Sequence, residues 1–223
     1  GKIVDSLRKN ELKGVNVTVP FKQKIIPHLD GLDHTAKKTQ SVNTLLKKDN
    51  KVLGFNTDSI GFYASLFKKY GYETTDNFKF LVIGAGGVTS SIIDGIGEAN
   101  KIYVTNRTKD RAEELKKKFP KIEIIEWETK TPICDIVINT TSVGLAKDEN
   151  LKIDFSNYLN NKHALFYDLI YNPKETNFLK NAKLRGNKIM NGEMMFLYQA
   201  QASFKLWTDV IPEINDEIIK ILD

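Results

Sequence analysis

A chain of 223 residues that is 41% hydrophobic and 27% charged can bury a sizeable core, and its length lies between one large domain and two small ones. No apolar run approaches the ~20 residues needed to cross a bilayer. Gly1-Lys2-Ile3-Val4-Asp5 has neither an apolar leader core nor a small-residue cleavage site, so no membrane partner and no secretory signal are expected. The one cysteine, Cys134, rules out an intrachain disulfide and fits a reducing, cytoplasmic setting. A net charge of +5 and a pI near 9.0 suit small anionic ligands as well as nucleic acid. The densest basic run, Lys116-Lys117-Lys118, shares a helical stretch with Glu113 and Glu114 and has no interleaved aromatic residues. It reads as a solvated helix face, and no nucleic-acid partner is expected.

No internal repeat or low-complexity segment interrupts the chain. Val15-Asn16-Val17-Thr18-Val19 alternates strictly and predicts a strand with Asn16 and Thr18 on one face, ended by Pro20. A helix is expected over 35–40. Two short strands follow over 45–55, joined at Lys48-Asp49-Asn50-Lys51, and then a helix over 59–70 stopped by Gly71. The polar stretch 72–79 reads as a domain boundary. Beyond it, short apolar strands at 80–83, 102–105, 135–139 and 165–167 alternate with helical stretches at 88–98, 109–119 and 175–185. That alternation is the pattern of a parallel, doubly wound sheet. Helical apolar spacing returns over 193–208, and a last helix is expected over 211–222.

The turn Gly84-Ala85-Gly86-Gly87-Val88-Thr89 follows a strand and opens a helix. Glycines there allow a tight turn and a close approach of backbone to a pyrophosphate, which the free N–H groups of the helix start then hold. Thr89 stands at the third glycine position, and Gly95 and Gly97 weaken the helix that follows. About twenty residues on, where NAD-binding folds carry an acidic residue for the ribose 2′-hydroxyl, this chain reads Thr105-Asn106-Arg107-Thr108. Without a carboxylate to repel it, a 2′-phosphate can be held by the Arg107 fork, with hydrogen bonds from Asn106 and Thr108. The plainer reading of Arg107 is an ion pair with Asp110 or Glu114. Together the two segments favour NADP over NAD.

Lys22 emerges just past the predicted strand, directly after Pro20-Phe21, and Asp58 ends Asn56-Thr57-Asp58 just before a helix. Taken alone, Lys22 reads as a surface lysine and Asp58 as a first-turn or N-cap carboxylate. If the fold joins them, a lysine withdrawn from water and held by a carboxylate can exchange a proton with a hydroxyl undergoing hydride transfer. Asn43, Tyr171 and Gln199 are polar groups beside apolar segments. A structural hydrogen bond explains each equally well on spacing alone. His28, His34 and His163 show no metal-ligand spacing, so no metal is expected.

In order along nearly the whole chain, these segments resemble the shikimate dehydrogenase family. Gly14-Val15-Asn16-Val17-Thr18-Val19-Pro20-Phe21-Lys22 is similar to its most specific motif. Ser41-Val42-Asn43-Thr44, Asn56-Thr57-Asp58, the Gly84 turn, Asn106-Arg107-Thr108, and Ile138-Asn139-Thr140-Thr141-Ser142-Val143-Gly144 follow. Asp168-Leu169-Ile170-Tyr171-Asn172-Pro173 and Met195-Phe196-Leu197-Tyr198-Gln199-Ala200 complete the series. The resemblance implies an α/β fold with a small substrate domain over 1–58 completed by helices in 191–223. A connecting helix and boundary would cover 59–76, and a Rossmann-type NADP-binding domain with a parallel sheet 77–190, with the active site in the cleft between the domains. It implies reversible NADPH-dependent reduction of 3-dehydroshikimate to shikimate by a monomer or homodimer, with Lys22 and Asp58 as the catalytic pair. Asn16, Thr18, Asn43, Tyr171 and Gln199 would contact substrate. Gly84, Ala85, Gly86, Gly87, Val88, Asn106, Arg107 and Thr108 would hold the cofactor, with Thr141, Leu169 and Gly192 near its nicotinamide half.

The chain departs from the family pattern in two places. Family members open with a strand–helix unit whose serine pair binds the substrate carboxylate. This sequence begins after that unit and contains no Ser-x-Ser equivalent. Weak shikimate binding is therefore expected, at roughly 1.5–3 kcal/mol per missing charged hydrogen bond, together with an exposed sheet edge able to pair with another molecule. Met194 stands where the family usually has glycine beside the nicotinamide, and either crowds that pocket or points away. Two other functions stay open. One is a quinate/shikimate dehydrogenase preferring NAD, against which Asn106-Arg107-Thr108 speaks. The other is an NADP-binding fragment without turnover, which the missing serine pair favours.

Overall fold

The computed structural model describes residues 2–72, 77–159 and 163–222, so 73–76 of the predicted boundary stretch lie outside the described residues. Contacts divide the chain into two compact units. One comprises Gly1–Gly71, Ser90–Gly95 and Met194–Asp223, the other Tyr72–Thr89 and Ile96–Glu193.

The first unit opens with α1 (Lys2–Arg8), β1 (Gly14–Asn16), β2 (Gly31–Leu32), α2 (His34–Thr39), β3 (Thr44–Lys48), β4 (Lys51–Phe55) and α3 (Asp58–Tyr70). Its sheet runs β1-β3-β4-β2, with β2 parallel to β4 and the other pairs antiparallel. The β3–β4 hairpin turns through Asp49 and Asn50 at φ +49° and +61°. These small polar residues tolerate the left-handed conformation of a tight hairpin turn. The strand expected over 15–19 pairs only from Gly14 opposite Leu46 to Asn16 opposite Thr44. Val17 N still donates to Asn43 O at 2.7 Å, after which Thr18, Val19 and Pro20 leave the sheet exposed. Val15 and Val17 pack on a core of Val4, Leu7, Ala36, Val42, Leu45 and Val52. The alternation thus holds past the end of the ladder as far as Thr18 and fails at Val19, which is exposed. Asp33 caps α2 by accepting the N–H groups of Ala36 at 2.9 Å and Thr35 at 3.3 Å.

The second unit contributes β5 (Lys79–Ile83), then α4 (Thr89–Ile96), whose residues Ser90–Gly95 belong to the first unit. After it come β6 (Lys101–Thr105), α5 (Lys109–Lys118), β7 (Glu123–Ile124), β8 (Ile136–Asn139), β9 (Leu165–Asp168), α6 (Asn177–Leu184) and β10 (Lys188–Met190). Its six strands are all parallel, in the order β10-β9-β8-β5-β6-β7. This is the doubly wound order, whose winding reverses between β5 and β8; ligands bind at such switch points, outside the carboxyl ends of the strands. Inner strands β8 and β9 are buried throughout, as a parallel sheet covered on both faces requires. One face carries an aromatic cluster. Phe166 meets Phe155, Tyr158 and Phe178 at ring separations of 5.6, 5.1 and 5.4 Å. Cys134 is buried there, and burial pushes its thiol up to about 12, so it stays protonated and inert.

The chain ends with α7 (Glu193–Thr208) and α8 (Asp216–Lys220). The helix expected over 211–222 shrinks to α8, which starts where Asn215 accepts the Ile218 N–H at 3.1 Å. Among the described residues no helix is long and apolar enough to cross a membrane.

The glycines of α4 have a packing explanation. A Cβ on Gly95 would lie 2.8 Å from Ser59 O and 3.0 Å from the Phe62 ring, so the glycine lets α4 lie close against α3. Gly97 follows the helix at φ +82°, the left-handed conformation that ends helices.

Behind the ends of β8 and β9 lies a buried carboxylate. Asp168, fully buried, accepts Asn139 Nδ2 at 3.1 Å and Ile170 N at 3.0 Å on one oxygen, and Thr176 Oγ1 at 2.6 Å on the other. Burial pushes its carboxyl up to about 6, against the pull of these three donors.

Two outcomes are expected. Gly95→Ala, which in an ordinary helix would stabilise by about 1 kcal/mol, should instead destabilise by about 1–3 kcal/mol through overpacking. A lowered urea midpoint would show it, and an unchanged or raised midpoint would refute the close approach. The Asp168 carboxyl is raised in the fold, so the folded state binds its proton more tightly than the unfolded chain does. Its contribution is complete below about pH 4 and is lost as pH rises through about 6. Urea unfolding of wild type and Asp168→Asn between pH 4 and 7 should therefore show the difference moving in the variant's favour by roughly 2–3 kcal/mol. A pH-independent difference would refute the shift.

Candidate active site

In the first unit the segment Gly14–Lys22 leaves the sheet and is caught again by its neighbour, since Val42 N donates to Lys22 O at 2.9 Å. Held there, Lys22 reaches Asp58 with Nζ to Oδ2 at 2.7 Å, the two side chains only 15% and 6% exposed. Asp58 opens α3, so its carboxylate sits in the first turn at the positive end of the helix. Its N–H donates to Asn56 Oδ1 at 3.0 Å, and its second oxygen accepts Asn43 Nδ2 at 2.9 Å. Both plain readings of these residues are thereby refined. Lys22 is not a free surface lysine, and Asp58 is a first-turn carboxylate that also holds a cation.

Asn43 is 3% exposed and serves as the joint of the cluster. Its amide nitrogen faces Thr57 Oγ1 at 2.8 Å, Asp58 Oδ1 at 2.9 Å and Gln199 Oε1 at 3.3 Å. Two hydrogens serve three acceptors, so the longest bond, to Gln199, is the weakest. Its oxygen accepts Thr57 N at 2.8 Å and Thr44 Oγ1 at 3.1 Å. Asn56 Nδ2 in turn donates to Ser41 O at 2.8 Å and Ser91 Oγ at 2.9 Å.

One member of the cluster escaped the sequence reading. Ser203, fully buried on α7, places its hydroxyl 2.7 Å from Thr44 Oγ1, 3.1 Å from Thr57 Oγ1 and 3.1 Å from Asn16 Nδ2. Its only sequence signal is a small polar residue four positions after Gln199, whose carbonyl lies 3.0 Å from it. Asn16 itself is exposed and also donates to Asn43 O at 3.1 Å. The structure therefore gathers Lys22, Asp58, Asn43, Asn16 and Gln199 into one hydrogen-bonded set. Thr18 stands exposed two residues beyond the end of β1, and half-buried Tyr171 belongs to the second unit.

In the second unit the glycine turn follows β5 at the switch point. Gly84 has φ +114°, and a Cβ there would lie 2.5 Å from Thr140 Oγ1, so the position requires glycine. Thr89 has a purpose at the third glycine position: its hydroxyl accepts Gly86 N at 3.0 Å and lies 2.8 Å from Thr140 Oγ1. Asn106 Oδ1 takes the Ala85 N–H at 3.1 Å. Gly86 and Gly87 face open space, and the N–H groups of Gly87 and Val88 donate to no protein group among the described residues. That is a cradle for a phosphate at a helix start. Arg107 and Thr108 are exposed beside it, and among the described residues Arg107 makes no ion pair, so its fork is open to a 2′-phosphate.

After β8, Thr141 donates through N and Oγ1 to Asn139 Oδ1 at 3.0 and 2.7 Å. Leu169 N donates to Asn139 O at 3.1 Å. Gly192 is buried against that turn, and a Cβ on it would lie 2.0 Å from Leu169 O. Met194 is half-buried at the second position of α7.

The family profile described as the shikimate dehydrogenase substrate binding domain matches residues 1–45, and that described as shikimate / quinate 5-dehydrogenase matches residues 67–184. The chain is 48% identical to the shikimate dehydrogenase (NADP(+)) of Pelagibacter ubique, over 99% of this chain and 82% of that protein. It is 38% identical to the enzyme of the same name from Caldicellulosiruptor bescii, over 100% and 79%. Among solved structures it is similar to shikimate dehydrogenase from Aquifex aeolicus, with a TM-score of 0.85 at 35% identity over 99% of this chain and 80% of that one. It is also similar to shikimate 5-dehydrogenase from Thermus thermophilus in complex with NADP(H) and shikimate, with a TM-score of 0.84 at 29% identity over 99% and 81%. With this fold, this switch-point turn and these relatives, the chain belongs to the shikimate dehydrogenase family.

Proposed function

We propose that the chain is an NADP-dependent oxidoreductase that reversibly reduces 3-dehydroshikimate to shikimate, a step of chorismate and aromatic amino-acid biosynthesis. The observation that carries the proposal is the 2.7 Å contact of Lys22 with Asp58, two residues that the sequence places 36 positions apart. The names of the relatives support the substrate and the cofactor, and the Thermus thermophilus structure holds both NADP(H) and shikimate.

In this proposal residues 1–58 and 191–223 bind substrate and residues 77–190 bind NADP. Bound cofactor would supply hydride exchange at the carbon that bears the reacting oxygen. The chain's own residues handle the rest. Lys22 Nζ takes the proton from the substrate hydroxyl in oxidation and returns it to the oxygen in reduction. Asp58 fixes the ammonium, and Asn43 fixes Asp58 by donating to its other oxygen. Asn16, Thr18 and Gln199, with Tyr171, offer donors and acceptors to the ring hydroxyls. Gly86, Gly87 and Val88 seat the pyrophosphate, while Arg107, with Asn106 and Thr108, holds the 2′-phosphate and sets NADP above NAD. No carboxylate stands at Asn106 to favour NAD, which argues against the NAD-preferring quinate/shikimate reading.

The test is shikimate-dependent reduction of NADP followed at 340 nm. Lys22→Ala should lower kcat by about 10²–10⁴, and undiminished turnover in that variant would remove Lys22 from the chemistry. Arg107→Ala should raise KM for NADP about 10- to 100-fold, the loss of one or two charged hydrogen bonds, with KM for NAD nearly unchanged. Equal effects on both cofactors, or a wild type preferring NAD, would contradict the assignment of the 2′-phosphate site.

A further inference from the structure

Asp168 makes no contact that the proton-transfer scheme uses, yet three segments converge on its side chain. Oδ1 takes the Ile170 N–H at 3.0 Å, which fixes the turn carrying Leu169. The same oxygen takes Asn139 Nδ2 at 3.1 Å. Oδ2 takes Thr176 Oγ1 at 2.6 Å, at the cap of α6.

Asn139 passes the constraint on. Its oxygen accepts both the N–H and the hydroxyl of Thr141, at 3.0 and 2.7 Å, and its nitrogen also donates to Val143 O at 3.1 Å. The Thr141 hydroxyl then accepts Val143 N at 3.1 Å. All four bonding positions of the Asn139 amide are thus occupied. The far side of the same loop is tied to the glycine turn, because Thr140 donates through N and Oγ1 to Ile83 O, both at 2.9 Å. The loop over 140–143 is therefore stretched between the phosphate cradle and the buried carboxylate. Gly192 closes the arrangement by packing its backbone on the Leu169 carbonyl.

We propose that Asp168 is a positioning residue for NADP, acting through Asn139 to hold Thr141 and through the Ile170 N–H to hold Leu169 at the nicotinamide end of the cofactor. The inference rests on the proposed placement of Thr141 and Leu169 beside the nicotinamide. A carboxylate serves where an apolar residue would not, because one planar group offers two acceptor sites to one side and a third to the other, locking a strand end, a turn and a helix cap to a common origin.

Isothermal titration of the full chain with NADP+, paired with melting temperatures, tests it. Asp168→Ala should raise Kd about tenfold or more. Asp168→Asn, which keeps an oxygen for Asn139 and Ile170, should recover most of that affinity. Thr176→Val should lower the melting temperature and leave Kd unchanged, because it removes only the helix-cap arm. In the double variant, Asn139→Ala should add little to Asp168→Ala, since both break one chain of contacts. If Thr176→Val weakens NADP+ as much as Asp168→Ala does, or if Asp168→Ala binds like wild type, the positioning role is wrong. Should Asp168→Ala fail to fold, Asn139→Ala breaks the same chain one link on. A Kd raised about tenfold then supports the role, and an unchanged Kd overturns it. A wild type that does not bind NADP+ would overturn the functional proposal as well, whereas normal wild-type binding with indifferent variants overturns this inference alone.

Discussion

The first unit depends on how one amide is shared. Asn43 offers two hydrogens and one oxygen, and it divides them among the first residues of α3, the neighbouring Thr44 and the Gln199 side chain of α7. Strand exit, helix start and a helix from the far end of the chain are thereby indexed to one side chain. The Lys22–Asp58 contact follows from that indexing. A carboxylate free to rotate about its χ angles would lose conformational entropy on meeting a lysine, whereas here one oxygen is already anchored by Asn43 and the other is presented. A buried ion pair adds stability only when its remaining lone pairs are satisfied, and Asn43 supplies a bond to the second carboxylate oxygen.

The second unit solves a similar problem with a different charge environment. Asp58 lies beside Lys22 in the first turn of a helix. Among the described residues Asp168 meets uncharged donors only, and burial favours its protonated form. Both stand where a strand or turn gives way to the next segment, and both tie together elements distant in sequence. Of the two, Asp58 is the one that meets a lysine, Lys22.

Much of this was legible in the sequence, and the reasons are physical. Strands buried on both faces read as apolar runs, and the glycine turn with Asn106-Arg107-Thr108 has local geometry that local sequence encodes. The short elements were not legible. β2, β7 and β10 have two or three residues, and α1 has seven with only two fully buried apolar positions, too few to establish a period. Ser203 was invisible because its importance lies in four partners, one on its own helix and three from separate distant segments. Gly95 was visible only as an anomaly: a helix-weakening residue has no sequence-level explanation until the neighbouring helix is seen to occupy the space of its missing Cβ. The last helix was overestimated because its apolar spacing runs past Pro212 without marking where the backbone can first take a cap.

The contact between Gly192 and the Leu169 carbonyl carries an evolutionary consequence. The atom that would collide with a side chain is main-chain oxygen, 2.0 Å from where a Cβ would stand, so no rotamer change on either partner can relieve it. Every missense change of a glycine codon introduces a Cβ, and so this position offers drift no missense route that leaves the backbone where it is. Neutral variation there is confined to synonymous codons, whereas Leu169 meets Gly192 through backbone atoms alone, so this contact places no demand on the side chain at 169. One close approach thus restricts the codon on one side of it and not on the other, by the direction in which each residue presents its backbone.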